Sequence, residues 1–266
     1  MSISDTWERG DPYERYIGKW SRLVAPEFVR WLAVGPGKRW LDVGCGTGAL
    51  SAAIVAQAAP ASVVGVEPSA GFLERARANL GPSVTLKSGG AEALPLDSAS
   101  IDVAVSGLVL NFVPDLPSAL RELRRVTVRG GTIAAYVWDY ANGMQLIRYF
   151  WDAAVELDPT AQKLDEAVRF PLCNPKELSN AFAAAGLTHV ATTALEVLTP
   201  FKDAADYWSP FLGGQGPAPA YAMSLSEDGR ERLRAGVTER LPRRPDGGIQ
   251  LLARAWAVRA TVPSDA

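Results

Sequence analysis

The residues best placed to do chemistry in this chain are glycines and two carboxylates. Leu41-Asp42-Val43-Gly44-Cys45-Gly46-Thr47-Gly48-Ala49-Leu50 reads as a short strand, a Gly-x-Gly-x-Gly turn and the start of an apolar helix. Such glycines let the backbone approach a ligand closely, and the helix N-terminus presents unpaired N–H groups to it. About twenty residues further on, Glu67 closes a second apolar strand, where a carboxylate can hold a ribose hydroxyl. Together they point to recognition of an adenosine-type cofactor.

Other catalytic equipment is scarce. The 266 residues include one histidine, His189, and two cysteines, Cys45 and Cys173, which excludes a structural zinc site of the Cys/His type. The cysteines sit far apart in sequence, and the polar, acidic N-terminus has no signal-peptide pattern, so a cytoplasmic setting is expected. No stretch has the length and apolarity of a membrane span. With 27 basic and 29 acidic side chains and a net charge of -2, small-molecule partners are expected rather than nucleic acid or a membrane.

Positioning these residues requires a sheet. Arg39 to Val43, Ser62 to Glu67, Val84 to Lys87, Ile101 to Val105 and Thr132 to Trp138 read as strands alternating with helical patterns, the signature of βαβ units around a parallel sheet. Their continuous apolar character predicts burial on both faces. Leu187 to Val197 and Ile249 to Val258 read as two further, longer strands. Asp115 is placed as the N-cap of a helix carrying Leu116, Leu120 and Leu123 on one face. Asn174-Pro175-Lys176-Glu177 starts another helix, which Gly186 ends.

Three segments break this rhythm: residues 1–38, 140–170 and 200–244. They are expected to cover the sheet edge where ligand binds, and most of their aromatics to form the cores of the insertions. A single domain over 1–266 is expected, with 1–38 as a cap or lid, 39–139 as the cofactor-binding half, 140–170 and 200–244 as substrate-side insertions, and 249–258 as the last strand. Tyr13, Tyr16 and Trp20 in the first segment are candidates for a lid over the cofactor, with ordinary packing as the alternative.

Charge bears on the choice of cofactor. Gly44, Gly46 and Ala49 also fit the dinucleotide pattern, with Glu67 as its acidic residue, which leaves an NAD-dependent oxidoreductase open. Asp42, two residues before Gly44, is expected to face the ligand. A carboxylate there repels a pyrophosphate and attracts a sulfonium and an ammonium, which favours S-adenosylmethionine. A non-catalytic module binding the same cofactor also stays open.

Beyond these residues the sequence resembles the class I S-adenosylmethionine-dependent methyltransferases, and among them the small-molecule group similar to ubiquinone and menaquinone biosynthesis enzymes. The signals, in order, are the loop of residues 41–48, Glu67, Ala91-Glu92-Ala93-Leu94-Pro95-Leu96, and Ile101-Asp102-Val103-Ala104-Val105 leading through Asn111-Phe112-Val113-Pro114-Asp115 into a helix. The resemblance implies a Rossmann-like, seven-stranded, mostly parallel doubly wound sheet with an antiparallel last strand. It also implies cofactor contacts at Asp42, Gly44, Cys45, Gly46, Gly48, Glu67, Pro68, Ala91, Glu92, Ser106 and Gly107, with no metal.

Two positions depart from the family pattern. Gly90 stands where the family carries an acidic residue that accepts from the adenine amino group, so Glu92 becomes the candidate replacement. Arg129-Gly130-Gly131 replaces the usual Pro-Gly-Gly turn.

Methyl transfer from a sulfonium is an in-line displacement on an already activated electrophile, so the protein chiefly positions the acceptor and excludes water. The resemblance implies Ser106, Asn111 and Tyr140 as the candidate catalytic residues, and Gly107, Trp138 and Asp139 near the transferred methyl. Asn111 reads either as a group orienting an acceptor or as a polar loop cap. His189, near the start of a late strand, lies at the wrong end of the sheet for a base. The acceptor is expected to be small and apolar or aromatic.

Overall fold

The computed structural model describes residues 17–213 and 216–264. Seven strands, β1 (Arg39–Val43), β2 (Ser62–Glu67), β3 (Thr85–Ser88), β4 (Ile101–Gly107), β5 (Thr127–Trp138), β6 (Thr188–Phe201) and β7 (Ile249–Thr261), form one sheet in the order 3-2-1-4-5-7-6. β1 to β5 pair in parallel, and β7 lies antiparallel between β5 and β6. The strand order reverses beside β1, which opens a crevice at the carboxyl ends of β1 and β4. This is the expected Rossmann-like sheet with its antiparallel last strand.

The helices are α1 (Lys19–Leu32), α2 (Ala49–Gln57), α3 (Ala70–Leu80), α4 (Leu116–Val126), α5 (Gln145–Leu157), α6 (Glu166–Arg169), α7 (Pro175–Ala184), α8 (Ala204–Trp208), α9 (Pro217–Ser224) and α10 (Glu227–Arg240). Capping residues set several starts. Asp115 accepts from the Ser118 N–H at 3.0 Å to begin α4, and Asn174 accepts from the Lys176 N–H at 2.8 Å to begin α7. Gly186, at φ 74, ends the last turn of α7 in the left-handed region.

Four strands are longer than the sequence suggests, β4 by two residues at its carboxyl end, to Gly107. β5 begins at Thr127 rather than Thr132 and carries Gly130 and Gly131 within it, where a register shift falls between Ile101 and Val103 of its neighbour. β6 and β7 run on to Phe201 and Thr261 because they pair with each other over most of their length. Pro200, which reads as the start of an insertion, pairs opposite Gln250 inside β6, and the edge position of β6 accommodates its missing N–H.

Apolar cores lie on both faces. One face packs α4 and α7 through Leu120, Leu123, Leu178 and Phe182. The other takes α1 and α2, with Phe28 4.6 Å from Tyr136, and continues into the 140–170 and 200–244 segments. There Phe150 stacks on Phe211 at 4.5 Å, and Trp151, Tyr207, Trp208 and Tyr221 surround the pair. Most described aromatics of these segments form their cores, as expected.

Candidate functional site

The site starts from a turn that only glycine makes easily. β1 ends at Val43, and Gly44, Gly46 and Gly48 adopt φ of 70, 54 and 94. Gly44 and Cys45 donate their N–H groups to Val66 O at 2.8 and 3.1 Å, which pins the turn to β2. A Cβ on Gly44 would sit 2.5 Å from Val109 Cγ2, so glycine is required there by close approach as well as by φ. Asn79 on α3 donates to Thr47 O at 2.9 Å and holds the far side of the loop.

Glu67 is 6% exposed at the end of β2. Its Oε2 accepts from the Gly46 N–H at 3.1 Å and its Oε1 from the Ser69 N–H at 2.9 Å. Burial pushes its carboxyl above the usual range, while these two N–H groups pull the other way. Each oxygen keeps a lone pair for a ligand hydroxyl.

Glu67 and the loop form one wall of a cavity of about 330 Å³, within the size range of small-molecule sites. Pro68, Ser69 and Phe72 continue that wall, and Ile17 and Ser21, one helical turn apart, close it from the N-terminal side. The opposite wall is Gly107, Leu108, Val109 and Phe112 after β4, with Tyr136, Trp138 and Tyr140 from β5. Gly107 is needed there because a Cβ would meet the Tyr136 hydroxyl at 2.6 Å. Trp138 is 2% exposed, and its indole N–H has no partner in the structure. Among the described residues the lining carries one carboxylate, Glu67, and no lysine, arginine or histidine.

Of the residues nominated from sequence, the cavity gathers Gly44, Cys45, Gly46, Glu67, Pro68, Gly107, Trp138 and Tyr140. Several others are elsewhere. Asp42 does not face the ligand: it is 1% exposed beneath the loop and accepts from Ser51 Oγ on α2 at 2.7 Å. Burial pushes its carboxyl up to about 7. Side chains alternate along a strand, so Asp42 points under the helix N-terminus rather than into the crevice. Ser106 is fully buried, and its Oγ donates to Val43 O at 2.9 Å, tying β4 to β1 rather than meeting an acceptor. Gly48 serves close packing, since a Cβ there would lie 2.7 Å from Leu80 Cδ1.

Ala91 and Glu92 do not line the cavity either. Glu92 Oε1 accepts from the Asp115 N–H at 3.3 Å, so this carboxylate is drawn to the start of α4 and does not replace the acid missing at Gly90. Asn111 lies behind Phe112: its Nδ2 donates to Cys173 Sγ at 3.5 Å, while its Oδ1 is buried without a partner. Asp139 is 1% exposed and accepts from the Asn142 N–H at 3.0 Å, outside the cavity. Trp20 packs edge-on to Phe201 at 5.4 Å with Lys19 above its ring, which makes it a packing residue and not a lid. Tyr13 and Tyr16 lie outside the described residues.

Burial raises the Cys45 thiol far above its usual range and pushes Cys173 up to about 12, so both are protonated and unreactive as nucleophiles. His189, at φ 53, is exposed in an irregularity at the amino end of β6. Ile17, Ser21, Ser69, Phe72, Leu108, Val109 and Tyr136 were missed as site residues from sequence. Ser69 had a readable signal, because it caps α3 directly after Glu67, with its Oγ accepting from the Phe72 N–H at 3.4 Å.

The residues fit S-adenosylmethionine. Glu67 can hold a ribose diol, the glycine loop admits a ligand against the backbone, and α2 begins directly after Gly48, so its N-terminus faces the loop where a carboxylate is favoured.

Residues 41–135 match the methyltransferase domain family. The chain is 38% identical over 119 residues to the demethylmenaquinone methyltransferase of Symbiobacterium thermophilum, covering 42% of this chain and 46% of that protein. It is 29% identical over 178 residues to that of Desulfitobacterium hafniense, covering 60% of this chain and 70% of that one. The chain thus spans under half the length of the first relative. Among solved structures, phosphoethanolamine N-methyltransferase 2 of Haemonchus contortus, in complex with S-adenosyl-L-methionine, superposes with a TM-score of 0.57 at 15% identity, covering 95% of this chain and 56% of that one. That likeness is one of fold. Residues 41–135 thus carry a methyltransferase domain on a Rossmann-like sheet, and the matched domain together with the Glu67 site supports S-adenosylmethionine as the cofactor.

Proposed function

We propose that the protein transfers the methyl group of S-adenosylmethionine to a small, apolar or aromatic acceptor. The observation that carries this reading is a single cavity whose one wall is Glu67 with the glycine loop and whose other is Leu108, Val109, Phe112, Tyr136, Trp138 and Tyr140. The bound cofactor supplies an activated methyl electrophile. The residues of the chain then have three tasks. Glu67 and the close approach allowed by the glycine loop fix the cofactor, the aromatic wall seats the acceptor and excludes water, and the free Trp138 N–H donates to an oxygen of the acceptor.

Among the described residues Glu67 is the one charged side chain in the lining, and the reading gives it to the ribose. The acceptor therefore brings its own nucleophilic character, as an electron-rich ring carbon or an acidic hydroxyl does. Relatives named demethylmenaquinone methyltransferases support an acceptor of the quinone class.

Calorimetry with S-adenosylhomocysteine tests the first half: the native protein binds, and Glu67→Ala binds at least about tenfold more weakly. Mass spectrometry of reaction mixtures with reduced quinones tests the second. Absence of any methylated product from apolar and aromatic acceptors, with cofactor binding intact, overturns the acceptor assignment.

A further inference from the structure

We propose that Arg148 is a positioning residue for the acceptor end of the cavity, holding Tyr140 and the ring behind it in one arrangement. The inference rests on the assignment of that end to the acceptor. Arg148 projects from α5 and pairs with Asp165, the two side chains being 14% and 9% exposed. Nη1 donates to Asp165 Oδ1 at 2.9 Å and Nη2 to Oδ2 at 2.6 Å, a two-pronged pair. Nη1 also donates to the main-chain oxygen of Tyr140 at 2.9 Å. One guanidinium thus joins Tyr140, which lines the cavity, to a segment seventeen positions beyond Arg148 itself.

That segment matters because of what it delivers. Asp165 caps α6 by accepting from the Ala167 N–H at 2.9 Å, and the helix ends by placing Phe170 behind the cavity. The Phe170 ring centroid is 5.8 Å from that of Tyr140 and 5.0 Å from that of Phe112, and both of these rings line the cavity. Asp152 adds a looser contact to the same guanidinium at 3.6 Å from an exposed position.

A partly buried ion pair gains little net stability, because desolvation offsets the attraction. Its effect is geometric: the planar fork of arginine fixes Asp165 and the Tyr140 carbonyl together, and a lysine ammonium cannot span both carboxylate oxygens in the same way. A displacement of about 1 Å at a reacting centre costs up to about a hundredfold in rate.

The test compares the full chain with Arg148→Lys and Arg148→Met by three measurements. These are calorimetry with S-adenosylhomocysteine, amide hydrogen exchange, and steady-state methylation of 1,4-dihydroxynaphthalene as the probe acceptor. Cofactor affinity is expected to stay within about twofold, while KM for the probe rises about tenfold with a smaller change in kcat. Exchange is expected to quicken at residues 142–144 and 168–170, whose N–H groups are hydrogen-bonded around Asp139, Asp165 and Glu166, and not in β1 to β5. Arg148→Lys recovers the melting temperature but not KM.

Unchanged exchange at those two segments in Arg148→Met overturns the proposal. So does a uniform loss of cofactor affinity, kcat and exchange protection, which is the pattern of a merely structural residue. If the native protein binds S-adenosylhomocysteine but does not methylate the probe, the acceptor assignment is what fails, and the exchange pattern still decides the role of Arg148.

Discussion

The cofactor wall and the 140–170 and 200–244 segments, which we propose as its cap, are built from opposite materials. The cofactor wall works through backbone: three left-handed glycines, N–H groups from Gly46 and Ser69, and one side chain, Glu67. The cap works through side chains: the Phe150 and Phe211 stack, the rings around it, and the Arg148 and Asp165 pair. Backbone contacts depend on a few residue types at fixed local spacing. Side-chain contacts join residues far apart in sequence and can be made by many combinations. The first kind tolerates almost no substitution in the loop itself, and the second spreads its energy over a network.

That contrast breaks first in the cap. Phe150→Ala removes a fully buried ring from the stack, and chemical denaturation is expected to show a loss of about 3–5 kcal/mol, with S-adenosylhomocysteine affinity of the folded protein unchanged. If affinity falls with stability, the two regions are not separable. Glu67→Ala is the converse. Its hydrogen bonds from a ribose diol are to a charged group, at about 1.5–3 kcal/mol each, so calorimetry is expected to show a tenfold to hundredfold weaker complex at the least.

A smaller effect concerns the buried acid that each region carries. Burial pushes Asp42 up to about 7 and Glu166 up to about 8, the latter accepting from the Trp151 indole N–H. Both folded values lie above the unfolded ones, so the native state holds more protons between them. Stability is therefore greatest at low pH in this respect and falls as pH rises, through the window from 3.8 to about 7 for Asp42 and from 4.5 to about 8 for Glu166. Melting curves from pH 5 to 8 are expected to flatten in Glu166→Gln, and the part of the slope ending near pH 7 to flatten in Asp42→Asn. The smallest change is Trp138→Phe, which keeps an aromatic ring of smaller size and removes the free donor. A loss of about 1 kcal/mol in kcat/KM for an oxygen-bearing acceptor is expected, and no loss at all denies the indole its role.

How much of this could be read from the sequence follows the same division. The loop, Glu67 and the caps at Asp115 and Asn174 were legible because local spacing dictates them, whereas the mostly parallel sheet with its antiparallel last strand followed from the family resemblance. Asp42 was misread because its position in the strand is clear while its facing is not: the motif shows a carboxylate beside the turn, and only the contact with Ser51 shows that it points beneath it. Glu92 was misread because the Asp115 N–H at the start of α4, 23 residues away, claims it. Tyr136 was overlooked because an apolar run in a central strand gives no sign that its hydroxyl reaches Gly107. The Arg148 pair was invisible, since nothing local links it to Asp165.

The edge formed by β6 carries a consequence for the molecule in crowded solution. A fourteen-residue outer strand offers a long row of unpaired amides and carbonyls to any neighbouring chain. Two irregularities interrupt that row. At one end the pairing slips between Thr188 and Ala191, with His189 in a left-handed conformation, and at the other Pro200 removes a donor. Glu196 between them adds a charge, so the flat template on which strand-to-strand aggregation begins is confined to a few residues.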